Sequence, residues 1–372
     1  MFLPLYLTKS LAFTDMQIGF LIGGCYGMGS ILGGLLGGKL TSSWGPIKTQ
    51  VASLSLTVPG YLLLAQADRF VTVALCLFGL SVVNEMIRPA SVTATTLYCP
   101  SHLHKRAMGH NRLAVNLGTS IGGVWGGVLA GINYQLLFYA NASTVFAALI
   151  ATLICFKLRE PETQKEKAET GNGESPWSDR SFLWFLFFTF LTAVVFFQLL
   201  STFPKYLDEQ RGVTEFYLGA LMAINTLLIV ILEMYLVQVV SKFSVLRVVA
   251  WGSLMSCVGF GLLPFCPDYW YICATVVVWT FGEMLAMPLS AAYVAARSSE
   301  RSRGRYMGLY VTCYAAALVI GPLLGMAAYE LDPDLVWYIA LALGWIAFSG
   351  YWWLSVQDKT KSNIGDTDQH PD

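Results

Sequence analysis

The chain has 372 residues, of which 55% are hydrophobic and only 12% charged, with 23 basic residues against 23 acidic ones and a mean hydropathy of +0.57. A soluble domain carries about a quarter charged residues, so half that share over this length leaves too little polar surface to face water. Zero net charge offers no argument for nucleic acid, and apolar runs of about twenty residues, each able to cross the ~30 Å hydrocarbon core, separate the charge clusters.

The elements follow from the apolar runs in chain order. Residues 1–8, MFLPLYLT, resemble the outer end of a first helix but rise only ~12 Å, so the first helix is expected to be truncated and the true start to lie upstream. Spans are expected at 16–41, 47–66, 70–98, 111–132 and 135–157, which makes 1–157 a first helix bundle. The Glu/Lys/Gly-rich stretch 158–178 reads as a cytoplasmic linker. A second bundle, 179–356, holds spans at 181–204, 215–240, 244–265, 269–297, 305–328 and 335–356, followed by a polar tail, 357–372, expected to be disordered. Of the eight cysteines, Cys25, Cys76, Cys155, Cys257, Cys273 and Cys313 lie inside apolar runs, and Cys99 and Cys266 near run ends. They serve as small apolar side chains, not as a disulfide framework.

Charge sets the orientation. With the 158–178 linker in the cytoplasm, 18 of the 23 Lys and Arg residues fall on the cytoplasmic side, four on the periplasmic side, and Arg88 lies inside a span. The opposite topology reverses that bias, so the linker and C-terminus are placed in the cytoplasm of a multi-pass protein of the bacterial inner membrane.

A shift of 199 positions superposes the two bundles at informative places: Pro89 on Pro288, Arg106 on Arg305, Met108 on Met307, Gly109 on Gly308, Gly122 on Gly321 and Gly126 on Gly325. A constant offset across a helix–loop–helix segment implies two six-helix halves related by an axis along the membrane normal. With the central linker, and with the 282–325 stretch GEMLAMPLSAAYVAARSSERSRGRYMGLYVTCYAAALVIGPLLG, the chain resembles the major facilitator superfamily over essentially its whole length. That resemblance implies an all-α membrane fold and the transport of a small molecule.

The superfamily's best-known signature, roughly Gly-x-Leu-x-Asp-Arg-x-Gly-Arg-Lys, here reads GKLTSSWGPIK at 38–48. Gly38, Leu40, Gly45 and Lys48 match, but Ser42 and Ser43 replace the acid and base that latch the cytoplasmic side in relatives. A related stretch, VSKFSVLR, occupies 240–247 in the second half. GGLLGGKL at 33–40 nearly spells a nucleotide-binding loop, but Leu40 stands where magnesium needs a hydroxyl and no strand precedes it. GTSIGGVWGG at 118–127 is similar to the Gly-x-x-x-Gly-Pro-x-x-Gly-Gly pattern of proton-coupled antiporters, with Gly123 in place of proline. Packing alone also explains it: Gly118, Gly122 and Gly126, flanked by Gly127, form a face open to a neighbouring helix, with Gly321, Pro322 and Gly325 as the second-half counterpart. Two further rows, Gly19, Gly23, Gly27 and Gly29, Gly33, Gly37, groove the 16–41 span.

Intramembrane charge is the sharpest functional signal. Glu85 falls near mid-bilayer with Arg88 one turn away, Glu283 lies one position from its repeat partner, and Glu233 lies in the 215–240 span. An isolated charge at that depth costs several kcal/mol, so each acid is expected to face a cavity, find a partner or hold a proton. The structural alternative pairs Glu85 with Arg88 and uses the other acids as helix braces. The resemblance implies a central cavity that brings Glu85 and Arg88 toward Glu283, with Gln198 as a further polar contact; Asn116, Asn225 and Tyr314 are weaker candidates.

These residues imply a proton-coupled secondary active transporter that moves a small organic molecule by alternating access, with efflux as the first reading. A proton symporter importing a sugar, peptide or organic acid and a non-transporting membrane sensor stand as alternatives. The expected partners are the substrate, protons and the bilayer, with a monomeric chain, no nucleic acid, and a proton gradient in place of any cofactor. No catalytic residues and no metal site are expected: His102, His104 and His110 cluster without cysteines or carboxylates at ligand spacing. The sequon Asn141-Ala-Ser falls within a span.

Overall fold

The computed structural model describes residues 1–99, 104–156, 175–299 and 302–367; for Thr96, 104–106, 108, 109, 112, 113, 303 and 358–367 it describes the backbone alone. Most of the expected linker, His102 with the His104 side chain, and the side chains of the repeat positions 106, 108 and 109 therefore lie outside the described residues. So does the tail from 368 on.

Inside a hydrocarbon layer only helices satisfy every backbone group within one segment, and the described residues form fifteen α-helices joined by short 3₁₀ and π segments. The short α1 (Leu3–Lys9) leads to α2 (Asp15–Gly19), a π segment Phe20–Gly27 and α3 (Met28–Trp44), which together make one 30-residue span. Thr14 starts it with a capping box: its hydroxyl accepts from Gln17 N–H, and the Gln17 side chain accepts from Thr14 N–H. Then come α4 (Pro46–Leu64), α5 (Phe70–Glu85), α6 (Ile87–Tyr98), α7 (His104–Ile132) and α8 (Tyr134–Phe156). After the linker follow α9 (Arg180–Phe196), α10 (Thr202–Arg211), α11 (Glu215–Val240), α12 (Val245–Gly261), α13 (Tyr269–Arg297), α14 (Arg303–Leu331) and α15 (Leu335–Thr367). Among the described residues nine helices are long and apolar enough to cross a membrane.

Two expectations change. The span expected over 181–204 ends at Phe196, passes through a 3₁₀ turn at Phe197–Leu200 and turns into the separate polar helix α10. The last helix continues past Gln357 to Thr367, so the segment expected as a disordered tail is helical over its first part.

The chain forms two compact units. One holds α1 to α8 together with Gln198–Ala223 and Leu318–Glu330; the other holds α9, Ile224–Ala317 and the segment from Leu331. The first unit therefore takes in α10, the start of α11 and the end of α14, all from the second half of the sequence. Its core packs Tyr6, Ile18, Leu21, Leu77, Phe138 and Met326. The core of the second unit is aromatic, with Phe182, Phe185, Phe188, Tyr306 and Tyr351 in mutual ring contact. Large apolar side chains such as Leu35, Ile231 and Leu331 stand exposed, the inverse of a water-soluble surface and the surface a lipid-facing helix presents.

Candidate functional site

In the first unit the acid site sits at a helix break. Pro89 has no N–H to give the Glu85 carbonyl, and the helix is interrupted at Met86, between α5 and α6. Across the break Arg88 Nε lies 3.1 Å from Glu85 Oε2, with the Arg88 side chain 78% exposed and that of Glu85 16%. Pro288, the repeat partner of Pro89, leaves α13 continuous.

Glu283 occupies the middle of α13 and is half-buried. Its helix is positioned by glycines: Gly282 seats against Ser256 and Gly252 of α12, with no room for a Cβ. From α11, the Asn225 amide donates to Glu283 Oε2 at 3.1 Å and to Thr280 Oγ1 at 3.1 Å. Two turns on from Asn225, on the same face of α11, Glu233 is buried. The polar group of the second unit is thus Asn225, Thr280 and Glu283, and Asn225 holds a more central place in it than its sequence rank suggested.

Gln198 has another task. Its amide donates to the Gly321 carbonyl at 2.8 Å and its carbonyl accepts from Thr202 at 2.7 Å, which ties the break after α9 to α14. Gly325 lies so close to this amide that any side chain there would displace it. Asn116 is half-buried on α7, and Tyr314 packs its ring against Tyr310 and Phe197.

Both glycine rows of the second span make close contacts. Gly19, Gly23 and Gly27 face Met326, Leu323 and Val319 of α14, while Gly29, Gly33 and Gly37 face Phe78, Val82 and Met86. On α7 the face differs from the expected one. A Cβ on Gly118 or Gly122 would meet nothing, Gly126 abuts the Phe2 ring, and the close approach to α11 belongs to Gly123 and Gly127, against Met222 and Glu215. Gly118, Gly122 and Gly126 instead border a cavity of about 820 Å³ in the first unit, walled by Tyr6, Tyr26, Tyr61, Trp125 and Asn141. Tyr26 links this cavity to the acid site, since it lines the cavity and lies in the field of Glu85 and Arg88. The cavity-lining aromatics carried no sequence signal, because tyrosine and tryptophan are common throughout the chain.

The signature loop has a geometric reason for its second glycine. Gly45 joins α3 to α4 at φ +90°, a conformation that L side chains rarely adopt. Ser42 and Ser43 both donate to the Lys39 carbonyl of their own helix. The 33–40 stretch is continuous α-helix, so its N–H groups cannot cradle a phosphate.

In the second unit Asp179 caps α9 through Phe182 N–H and takes a two-pronged bond from Arg297, Nε to Oδ2 at 2.6 Å and Nη2 to Oδ1 at 2.8 Å. Burial raises its pKa, but the bonds from Arg297, Phe182 N–H and Tyr306 outweigh that and hold the carboxyl below its ordinary value of 3.8. With the folded value depressed, the pair contributes stability above pH ~4 and loses it as pH falls through the folded value. Asp179→Asn is expected to lower the melting temperature at pH 7 by an amount equivalent to about 1–3 kcal/mol. Melting curves of variant and wild type should converge below pH ~4 and nowhere above it.

Comparison with known proteins decides the family. The Major Facilitator Superfamily model matches residues 1–243 and 206–371, in two overlapping stretches that cover nearly the whole chain. The chain belongs to the major facilitator superfamily. It is a multi-pass integral membrane transporter and not an enzyme. Similar curated superfamily members include a Na(+), Li(+), K(+)/H(+) antiporter of Planococcus maritimus, 23% identical with 90% of this chain and 87% of the relative covered. The quinolone resistance protein NorA of Staphylococcus aureus (strain COL) is also 23% identical, covering 92% and 88%. Among solved structures, a bacterial homolog of the human lysosomal transporter Spinster superposes with a TM-score of 0.74 at 14% identity (95% and 92% covered). The nucleoside transporter NupG superposes with 0.73 at 13% identity (96% and 94% covered). These two likenesses establish the superfamily fold.

Proposed function

We propose that the chain is a proton-coupled exporter of small organic molecules, with Glu283 as the residue that carries the coupling proton. The observation behind this reading is the setting of Glu283: a half-buried acid in mid-span, bonded by the neutral amide of Asn225. A neutral amide donor can stay in place whether the carboxyl is charged or protonated. Losing the charge changes the cost of enclosing the site, which biases the transporter between its two open states. Glu85 is the counter-ion of Arg88 in this scheme. The relatives named for quinolone resistance and for cation/proton antiport support export by proton exchange. Transport driven by a pH gradient in membrane vesicles carrying Glu283→Gln tests the assignment.

The proposed setting is a monomer in the bacterial inner membrane, with bundles 1–157 and 179–356 joined by a cytoplasmic linker. Single cysteines introduced into that linker of a cysteine-free variant are expected to resist impermeant thiol reagents in intact cells, while Asp268→Cys labels. Ready labelling of the linker with protection at 268 reverses the orientation.

A further inference from the structure

The membrane face opposite the Gly38–Lys48 loop carries a charge network that neither the glycine rows nor the mid-span acids call for. Lys9, just beyond the apolar part of α1, places Nζ 2.6 Å from Asp208 Oδ1 and 2.9 Å from Glu215 Oε1. Glu215 also accepts from the Tyr134 hydroxyl at 2.5 Å. Lys205 of α10, its side chain only 6% exposed, binds Asp15 and lies 3.4 Å from Glu209. Glu209 in turn accepts from the Tyr329 hydroxyl at 2.9 Å, and the Lys205 ammonium sits over the Tyr329 ring.

The connectivity is reciprocal. Lys9 comes from the first half of the sequence and its acids from the second; Lys205 comes from the second and Asp15 from the first. All these residues lie within the first compact unit. The contacts also coincide with the glycine packing. The Glu215 backbone rests on Gly127, where a Cβ would meet its carbonyl oxygen at 2.5 Å, while its carboxylate holds Lys9. Asp15 opens the helix whose Gly19 abuts Met326, one turn from Tyr329. Helices cannot separate along these glycine contacts without parting the ion pairs.

We infer that Lys9 and Lys205 are gate residues of the transport cycle, which lock this face shut through Asp208, Glu215 and Asp15 and must release them each time the face opens. Alternating access requires the face to open once per cycle. At the other face, Ser42 and Ser43 stand where relatives carry a charged latch, and their hydroxyls are bonded within their own helix. The network lies at the opposite end, and its ion pairs join the two halves of the sequence. A part-buried lysine that loses its acids is left with an uncompensated charge, so breaking one partner favours the open, hydrated arrangement. This inference needs only alternating access and is independent of which acid carries a proton.

The test uses the full chain freed of its eight cysteines, with Met326→Cys as a probe buried behind the network and Val249→Cys as a control in the core of the other unit. Labelling by an impermeant maleimide is followed in intact cells and in inverted vesicles. Lys205→Asp, which sets a third acid beside Asp15 and Glu209, is expected to speed labelling at 326 at least tenfold from one side, and Lys9→Ala to speed it several-fold. Adding Asp15→Lys to Lys205→Asp restores the opposite charge and is expected to return the rate to within twofold of the parent. Unchanged labelling in Lys205→Asp overturns the inference. So does an equal rise at position 249, which marks general loosening, or a raised rate that the charge swap does not reverse.

Discussion

Glu283→Gln is expected to leave the transporter folded and able to exchange substrate, yet unable to concentrate it against a gradient. Glutamine keeps the size of the side chain and an oxygen that can still accept from Asn225, so the link between α11 and α13 survives. What disappears is titration. If Glu283 carries the proton, accumulation driven by a pH gradient in vesicles drops at least tenfold, while exchange down a substrate gradient persists. Glu85→Gln is the contrast. It removes the acid beside Arg88 inside a span, so it is expected to lower stability while leaving proton-driven accumulation in place. The Glu85→Gln/Arg88→Met double variant should behave like wild type in accumulation, since neither charge is then left alone. Full accumulation by Glu283→Gln together with failure of Glu85→Gln would transfer the coupling role to the acid at the break between α5 and α6.

A second large effect is expected from two adjacent glycines that differ only in the side of the helix they face. A Cβ on Gly33 would fall 2.9 Å from the Val82 Cα and closer still to the Val82 carbonyl oxygen. These are backbone atoms of α5, and no rotamer change can move them aside, so the α3–α5 contact has to open along its length. Gly33→Ala is expected to destabilise the protein by about 1–3 kcal/mol, and a branched residue there to cost more. Gly34, one position on, meets nothing within reach of a Cβ. Alanine there removes the conformational penalty of glycine in a helix and is expected to be neutral or stabilising by up to about 1 kcal/mol. Melting curves of the purified variants check the pair, and equal behaviour of the two would mean that the contact does not depend on a bare backbone. The contrast also separates helix packing from intrinsic helix preference, because both positions lie in the same turn of α3.

Features set within one helix or by the bilayer were legible in the sequence. The span 269–297 matches α13, and 215–240 matches α11, because a hydrocarbon layer demands a run of fixed length that is apolar throughout. Glu85 and Arg88 meet because three residues bring side chains to one face across a single turn. The two glycine rows of the second span could be read from their fourfold spacing, as could the membrane class and the family. Only the tertiary structure decided which face of a helix meets which neighbour. On α7 the sequence pattern favours Gly118, Gly122 and Gly126, yet of these only Gly126 is close-packed, against Phe2, and Gly123 and Gly127 make the contact with α11, because the rotation of a helix about its axis is set by its partners. Gln198 is bound to Gly321 from a break after α9 that hydropathy does not register, since the other three residues of that turn, Phe197, Leu199 and Leu200, are apolar. Lys9 and Asp208 stand 199 positions apart and meet at 2.6 Å. Each reads in the sequence as an ordinary loop charge, and only the packing of α1 beside α10, which no local pattern encodes, turns them into a pair.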